Sequence, residues 1–173
     1  KKSDTSAPNG YWYDEDAAEK AVGFFSRYLR HVKGELAGQK LVLQEWAANE
    51  IVRPLFGWKR PDGLRKFRTV YVEVPRKNAK STIAAGIGLY LTFADREPGA
   101  EVVSAAADRD QAAIVFDVAK TMVEEEPALR KRALVFRRSI AIRETNSSYK
   151  VISADAYTKH GLNLHGIIFD ELH

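Results

Sequence analysis

A chain of 173 residues, 45% hydrophobic and 29% charged, has the apolar content for one folded domain with its own core, which excludes collagen-like, low-complexity and wholly disordered polymers. Its 27 basic and 23 acidic residues leave a formal charge of +4, which allows an anionic partner without requiring one. The absence of cysteine excludes a disulfide framework and any thiolate metal site, and the longest apolar stretch, 83–94, falls short of the ~20 residues of a membrane span.

In chain order, residues 1–13 are polar around Pro8, Asn9 and Gly10, end in three aromatics, and are expected to form an extended arm. Ala18, Val22, Phe25, Leu29 and Val32 then recur at helical spacing, with acids at 14–16 to open the helix and Lys33-Gly34 to close it. A short helix is expected over 43–56, followed by a basic loop whose Pro61-Asp62-Gly63 is a turn signal. From residue 67 strands and helices alternate. Phe67–Val74 is rich in β-branched and aromatic residues and reads as a strand stopped by Pro75. A helix over 81–94, a strand over 100–106 and a helix over 109–125 come next, the last opened by Asp108 with Gln111 in capping-box spacing. Arg138–Glu144 and Tyr149–Ala154, separated by four turn residues, predict a β-hairpin. The final apolar run, 166–170, predicts a central strand of a mainly parallel sheet covered on both faces.

The strongest chemical signal is Val74-Pro75-Arg76-Lys77-Asn78-Ala79-Lys80-Ser81-Thr82, at a strand-to-helix junction. Backbone N–H groups converging from Arg76 through Lys77, Asn78, Ala79, Lys80, Ser81 and Thr82 at a helix N-terminus make an anion site. Lys80 is placed to reach phosphate oxygens, and the Ser81 hydroxyl to complete the shell of a Mg²⁺ ion. Val74 and Ala79 occupy the two glycine positions of the G-x-x-x-x-G-K-[ST] pattern, so the motif is weak by itself and fits equally a basic loop before an ordinary helix. Ala79 is compatible with a phosphate cradle only if its φ is negative. Pro75 has no N–H to offer.

Ninety residues after Lys80 the apolar strand ends in Asp170-Glu171. Acids at the C-terminal end of a parallel strand face the ligand crevice of an open α/β sheet. Asp170 is therefore the candidate Mg²⁺ ligand and Glu171 the residue that orients the attacking water. The conjunction of loop and acid is far more specific than either part. His31, His160, His165 and His173 have no spacing that suggests zinc and read as solvated or structural. Arg130-Lys131-Arg132 and Arg137-Arg138 read first as wet surface and second as DNA-phosphate contacts, and Trp12, Trp46 and Trp58 as packing anchors. Nine basic residues against two acids between Arg53 and Lys80 give a local +7, which points to a bound polyphosphate first and DNA phosphates second.

At these residues the sequence resembles the ATPase domain of tailed-phage large terminase subunits, the motors that package DNA into preformed capsids. The resemblance rests on Leu55-Phe56-Gly57-Trp58, on Phe67 through Thr82, on Asp108-Arg109-Asp110-Gln111-Ala112, and on Gly161-Leu162-Asn163 leading into Ile168-Phe169-Asp170-Glu171. Such terminases accept a non-glycine start and an early arginine in the loop, matching Val74 and Arg76, while Ala79 departs from the pattern. The resemblance implies a P-loop NTPase fold, a three-layer α/β/α sandwich with a mainly parallel sheet, truncated after the acidic Walker B-like strand. One partial domain over 1–173 is then expected: an arm and helix (1–34), an adenine-side segment (35–66) and the P-loop core (67–173). ATP and Mg²⁺ are the implied cofactors, with Arg76 and Lys80 stabilising charge on the phosphates and Glu171 as catalytic base. An adenine-side glutamine is implied too, for which Gln44 beside Trp46 is the candidate, and a cation completing a neighbouring subunit's site, for which Lys159 stands in. Implied partners are double-stranded DNA, a portal protein, a small terminase subunit and further copies in a ring, in the bacterial host cytoplasm and transiently at the procapsid portal. The sequence reads as a piece of a longer polypeptide without the nuclease domain that normally follows. The alternatives are a helicase-type ATPase fragment, because Asp170-Glu171-Leu172-His173 resembles an Asp-Glu-x-His box, and a catalytically inert assembly fragment.

Overall fold

Helix α1 (Glu15–Tyr28) begins where the Asp14 carboxylate accepts the Ala17 N–H at 3.0 Å, one of the donors a helix start leaves without an internal partner. The structure, a computed structural model, describes residues 9–75, 78–106, 109–153 and 164–170. Before α1 lies strand β1 (Trp12–Tyr13), the end of the expected arm. The helix buries Ala18, Ala21, Phe24 and Phe25 and stops five residues before the expected Lys33. Its end is captured by a second segment: the Leu41 N–H donates to the Leu29 carbonyl, the His31 N–H donates to Gln39, and Arg30 bridges Lys40. These cross-chain bonds draw residues 29–31 into extended backbone and override the basic glycine stop.

The helix expected over 43–56 is built in three pieces: α2 (Glu45–Ala47), a π-helical turn (Ala48–Val52) and α3 (Arg53–Gly57). Strand β2 (Trp58–Lys59) follows and pairs antiparallel with β1. The Pro61-Asp62-Gly63 turn forms as expected, with the Asp62 carboxylate accepting the Leu64 N–H and Gly63 at φ +83°.

The main sheet comprises β3 (Glu101–Ala106), β4 (Ala133–Val135), β5 (Ser139–Ile142), β6 (Ser147–Ser153) and β7 (Leu164–Phe169) in the order β4-β5-β6-β3-β7. Strands β6, β3 and β7 run parallel, and β4, β5 and β6 form an antiparallel meander. The predicted hairpin is the β5–β6 pair. Helices α4 (Lys80–Phe93) and α5 (Arg109–Glu125) match their expected ranges, with Asp108 outside the described residues. The sequence reading missed α6 (Pro127–Arg130), though its signal is present: Glu126 caps the Ala128 N–H and proline stands at the first helical position.

Two expectations are corrected. Residues 67–74 form no strand among the described elements, and among the described strands β7 stands at the end of the order rather than in its centre, with Phe169 45% exposed. Only its last four residues alternate, with Val72 and Val74 half-buried and Tyr71 and Glu73 exposed. Strand-forming side chains make a ladder only where a partner's backbone bonds to them, and no described strand pairs with this run.

Tyr149 on β6 joins the layers. Its ring meets Phe116 of α5 edge-on at 5.4 Å, its hydroxyl is 2.6 Å from Ser104 Oγ, and it lies close to Gly88 of α4. Helices α4 and α5 therefore share the face of the sheet that carries Val102, Ser104 and Tyr149. Val103 and Ala105, on the opposite side of β3, are also buried, so the central strand is covered on both faces. Phe24 of α1 and Phe56 of α3 meet Tyr90 of α4 at 5.5 and 4.5 Å, docking the N-terminal helices onto the same core. Among the described residues no helix is long and apolar enough to cross a membrane.

Candidate functional site

Helix α4 is apolar nearly all round, which buries it and leaves its polar chemistry at its first turn. The turn is entered through Ala79, whose backbone is left-handed, at φ 53° and ψ 26°. The sequence reading required a negative φ here; the backbone is instead the left-handed one that a glycine at this motif position adopts without penalty, and alanine adopts it at a steric cost. The physical reason is local: Ala79 follows directly on Asn78, whose side-chain amide is held on the Pro75 carbonyl at 3.1 Å, and α4 starts at the next residue. An alanine held there costs about 1 kcal/mol.

The opposite wall is Asp170, the residue directly after β7. Parallel pairing of β7 with β3 carries this carboxylate to the end of the sheet where α4 begins. The Ser81 hydroxyl donates to Asp170 Oδ2 at 3.0 Å, and Lys80 Nζ lies 3.2 Å from Oδ1. Each carboxylate oxygen therefore has its own partner, and the Asp170 side chain is only 12% exposed. The sequence predicted that these three residues, 90 positions apart, share one site, and the structure brings them together.

The donor set suits a hard divalent cation, because a hydroxyl and a carboxylate are the ligands Mg²⁺ prefers. No group of three His, Asp or Glu gathers among the described residues, so these alone supply no closed cage. Mg²⁺ fits here only with phosphate oxygens and water completing its shell, as it does in nucleotide sites. Thr82 lies in the same first turn, half-buried. The N–H groups of such a turn have no partners within the helix and suit an anion.

Other expected members stand apart. The Gln44 side chain accepts the Trp46 indole N–H at 2.6 Å, a bond two residues away that holds it against its own segment. A cavity of about 210 Å³ lies between that helical region and the chain leading to the loop, lined by Glu50, Ile51, Pro54, Leu55, Phe67 and Val70. A larger one, about 280 Å³, lies beside the opposite end of α4 among Lys20, Phe24, Tyr28, Phe93 and Leu129. The site is thus assigned by convergent polar groups and not by cavity size. Arg76, Lys77, Lys159 and Glu171 lie outside the described residues, as do His160 and His173.

Sequence reasoning missed a second polar cluster. His165 Nε2 is 2.6 Å from Asp95 Oδ2, and Arg65 Nη1 donates to the same oxygen at 2.9 Å. No motif joins these residues; the only local signal is an isolated acid just past the end of a predicted apolar helix.

Comparison with known proteins agrees with this geometry. A family model described as "Terminase large subunit, ATPase domain" matches residues 46–173. The chain is similar to the large terminase subunit of Enterobacteria phage HK97, 31% identical over 157 residues, covering 88% of the chain and 30% of the relative. The crystal structure of the HK97 bacteriophage large terminase superimposes with a TM-score of 0.74 at 27% identity, covering 89% of this chain and 31% of that one. The chain thus spans less than a third of the length of these relatives.

Proposed function

The chain belongs to the family of terminase large-subunit ATPase domains, and from that premise we propose that it binds and hydrolyses ATP to drive packaging of double-stranded DNA into a phage procapsid. The observation that carries this reading is the meeting of Lys80, Ser81 and Asp170 at one end of α4.

In the proposed reaction Lys80 leaves its ion pair with Asp170 and neutralises the transferred phosphate, with Arg76 as a second cation from the loop. The first-turn N–H groups of Lys80, Ser81 and Thr82, with loop residues Lys77, Asn78 and Ala79, cradle the phosphate chain. Ser81 and Asp170 would hold Mg²⁺, which would supply charge screening to the phosphates. Glu171 orients the water for in-line attack. Gln44 is proposed on the adenine side and Lys159 as a cation acting on a neighbouring copy. The portal, the small terminase subunit, further copies in a ring and the host cytoplasm complete the proposed setting.

Titration with Mg-ATP tests the site. The wild-type chain should bind, and Lys80→Ala should bind at least about tenfold more weakly, a loss on the order of 1.4 kcal/mol. Equal and negligible binding by both would overturn the nucleotide reading. In the full-length protein Glu171→Gln should keep ATP binding and lose hydrolysis; substantial remaining turnover would show that another residue activates the water.

A further inference from the structure

Helix α4 and strand β7 run against each other and are tied at both ends. At one end Lys80 and Ser81 hold Asp170. At the other, Asp95, the second residue past α4, presents one carboxylate oxygen to His165 of β7 at 2.6 Å and to Arg65 at 2.9 Å. All three side chains are largely buried, with exposures of 17% for His165, 19% for Asp95 and 23% for Arg65. The Asp95 N–H is fixed in turn on the Tyr90 carbonyl at 3.1 Å, and the next residue, Arg96, is left-handed at φ 62°. The chain thus leaves α4 through a strained turn that aims Asp95, as it enters through one at Ala79.

A second, independent feature marks the same place. In the β3–β7 ladder Glu101 pairs with Leu164 and Val102 with Gly166, so His165 is an extra residue at a bulge. A bulge leaves one residue unpaired, redirects its side chain and disrupts the ladder locally. Between the two ties the strand and helix approach closely at two glycines. A β-carbon on Gly88 would stand 2.8 Å from Ile168 Cδ1, and one on Gly166 would stand 2.6 Å from Leu91 Cδ1. One residue of slip would move Asp170 by about 3.3 Å, enough to lose both Lys80 and Ser81.

We propose that Asp95, shared by His165 and Arg65, is a register lock for β7 that sets how far the strand reaches along α4 and so places Asp170 opposite Lys80 and Ser81. His165 and Asp95 are positioning residues in this view. They lie roughly 16 Å along the strand from the carboxylate they place and do not touch nucleotide. The inference rests on the proposed nucleotide site for its readout.

The test compares ATP binding with and without Mg²⁺ in the wild-type chain, His165→Ala, His165→Gln, Asp95→Asn and, as reference, Asp170→Ala, with thermal unfolding of each. A misplaced Asp170 should affect metal-assisted binding selectively. His165→Ala should lose about tenfold of the gain in affinity that Mg²⁺ gives, as removal of a group that orients a metal ligand does, with metal-free ATP binding unchanged. Glutamine carries its Nε at a similar reach, so His165→Gln should restore most of the gain. Asp95→Asn should behave as His165→Ala does, and both Asp95→Asn and His165→Gln keep side-chain volume if the alanine variant fails to fold. An unchanged Mg²⁺ gain in His165→Ala and Asp95→Asn overturns the lock. So does a parallel loss of metal-free and metal-assisted binding that tracks the fall in Tm and is not restored by glutamine. If Asp170→Ala itself binds Mg-ATP like wild type, the site reading fails and the lock with it; if only Asp170→Ala is impaired, the lock alone fails.

Discussion

The methyl group of Ala79 stands on a left-handed backbone at the entrance to α4, where a glycine would carry no steric penalty. Ala79→Gly should therefore stabilise the fold by roughly 0.5–1 kcal/mol, the relief of strain exceeding the added freedom of the unfolded chain. A higher urea midpoint at unchanged slope would show it, and the β-branched Ala79→Val should move the midpoint the other way. The sign of this φ was not legible in the sequence, because it follows from how Asn78 closes the loop on Pro75. Lys80, Ser81 and Asp170 were legible, since the loop residues are adjacent and the acid follows an apolar run that could only be a strand. His165 was not. Its partner Asp95 lies 70 positions away, and no spacing rule connects the two.

Among the elements, α4 depends most on what it lacks. Gly88 lets Ile168 and the Tyr149 ring approach its backbone, so Gly88→Ala should overpack the contact with the sheet and cost about 1–3 kcal/mol, read as a lowered Tm. The same substitution at Gly23 of α1, where a β-carbon would meet nothing within 4 Å, should stabilise by up to ~1 kcal/mol. Helices α4 and α5 and the β5–β6 hairpin were legible because their periodicity and turn residues are local. The end of α1 and the fate of residues 67–74 were not, since both were decided by a second segment: bonding to residues 39 and 41 shortens the helix, and no described strand pairs with the extended run.

For the whole molecule, the basic stretch between Arg53 and Lys80 acquires a different meaning. Arg53 pairs with Glu19, Arg60 with Asp62, Arg65 with Asp95 and Lys80 with Asp170, while Lys66 sits 4.8 to 5.2 Å from the ring centres of Tyr11, Trp58 and Phe67. Much of the local positive charge is therefore used to hold the chain together, and less of it than the composition implied is left for an anion. Stability at high pH is another property of the whole core. Burial pushes the Tyr90 hydroxyl up to about 12, with Asp95 adding to the effect, and pushes Tyr149 up as well. Unfolded tyrosines ionise near 10, so the unfolded state loses these protons first; the contribution of these two tyrosines to stability should be constant well below pH 10 and fall as pH rises towards 12. Tyr149→Phe should flatten that alkaline loss while lowering stability at neutral pH by about 1–2 kcal/mol, because the buried Ser104 hydroxyl loses its partner. Urea titrations at pH 8 and pH 11 would separate the two effects.

The two partners on Asp170 bear on the order in which a nucleotide site of this kind fills. A cation arriving alone would have to displace the Lys80 ammonium and leave it facing another positive charge. A phosphate arriving alone would draw Lys80 away and leave Asp170 as an uncompensated anion beside it. Arriving together, each supplies the counter-ion that the other removes. Under the proposed function the ion pair acts as a gate on composition: it resists either half of the metal–nucleotide complex and exchanges partners with the whole.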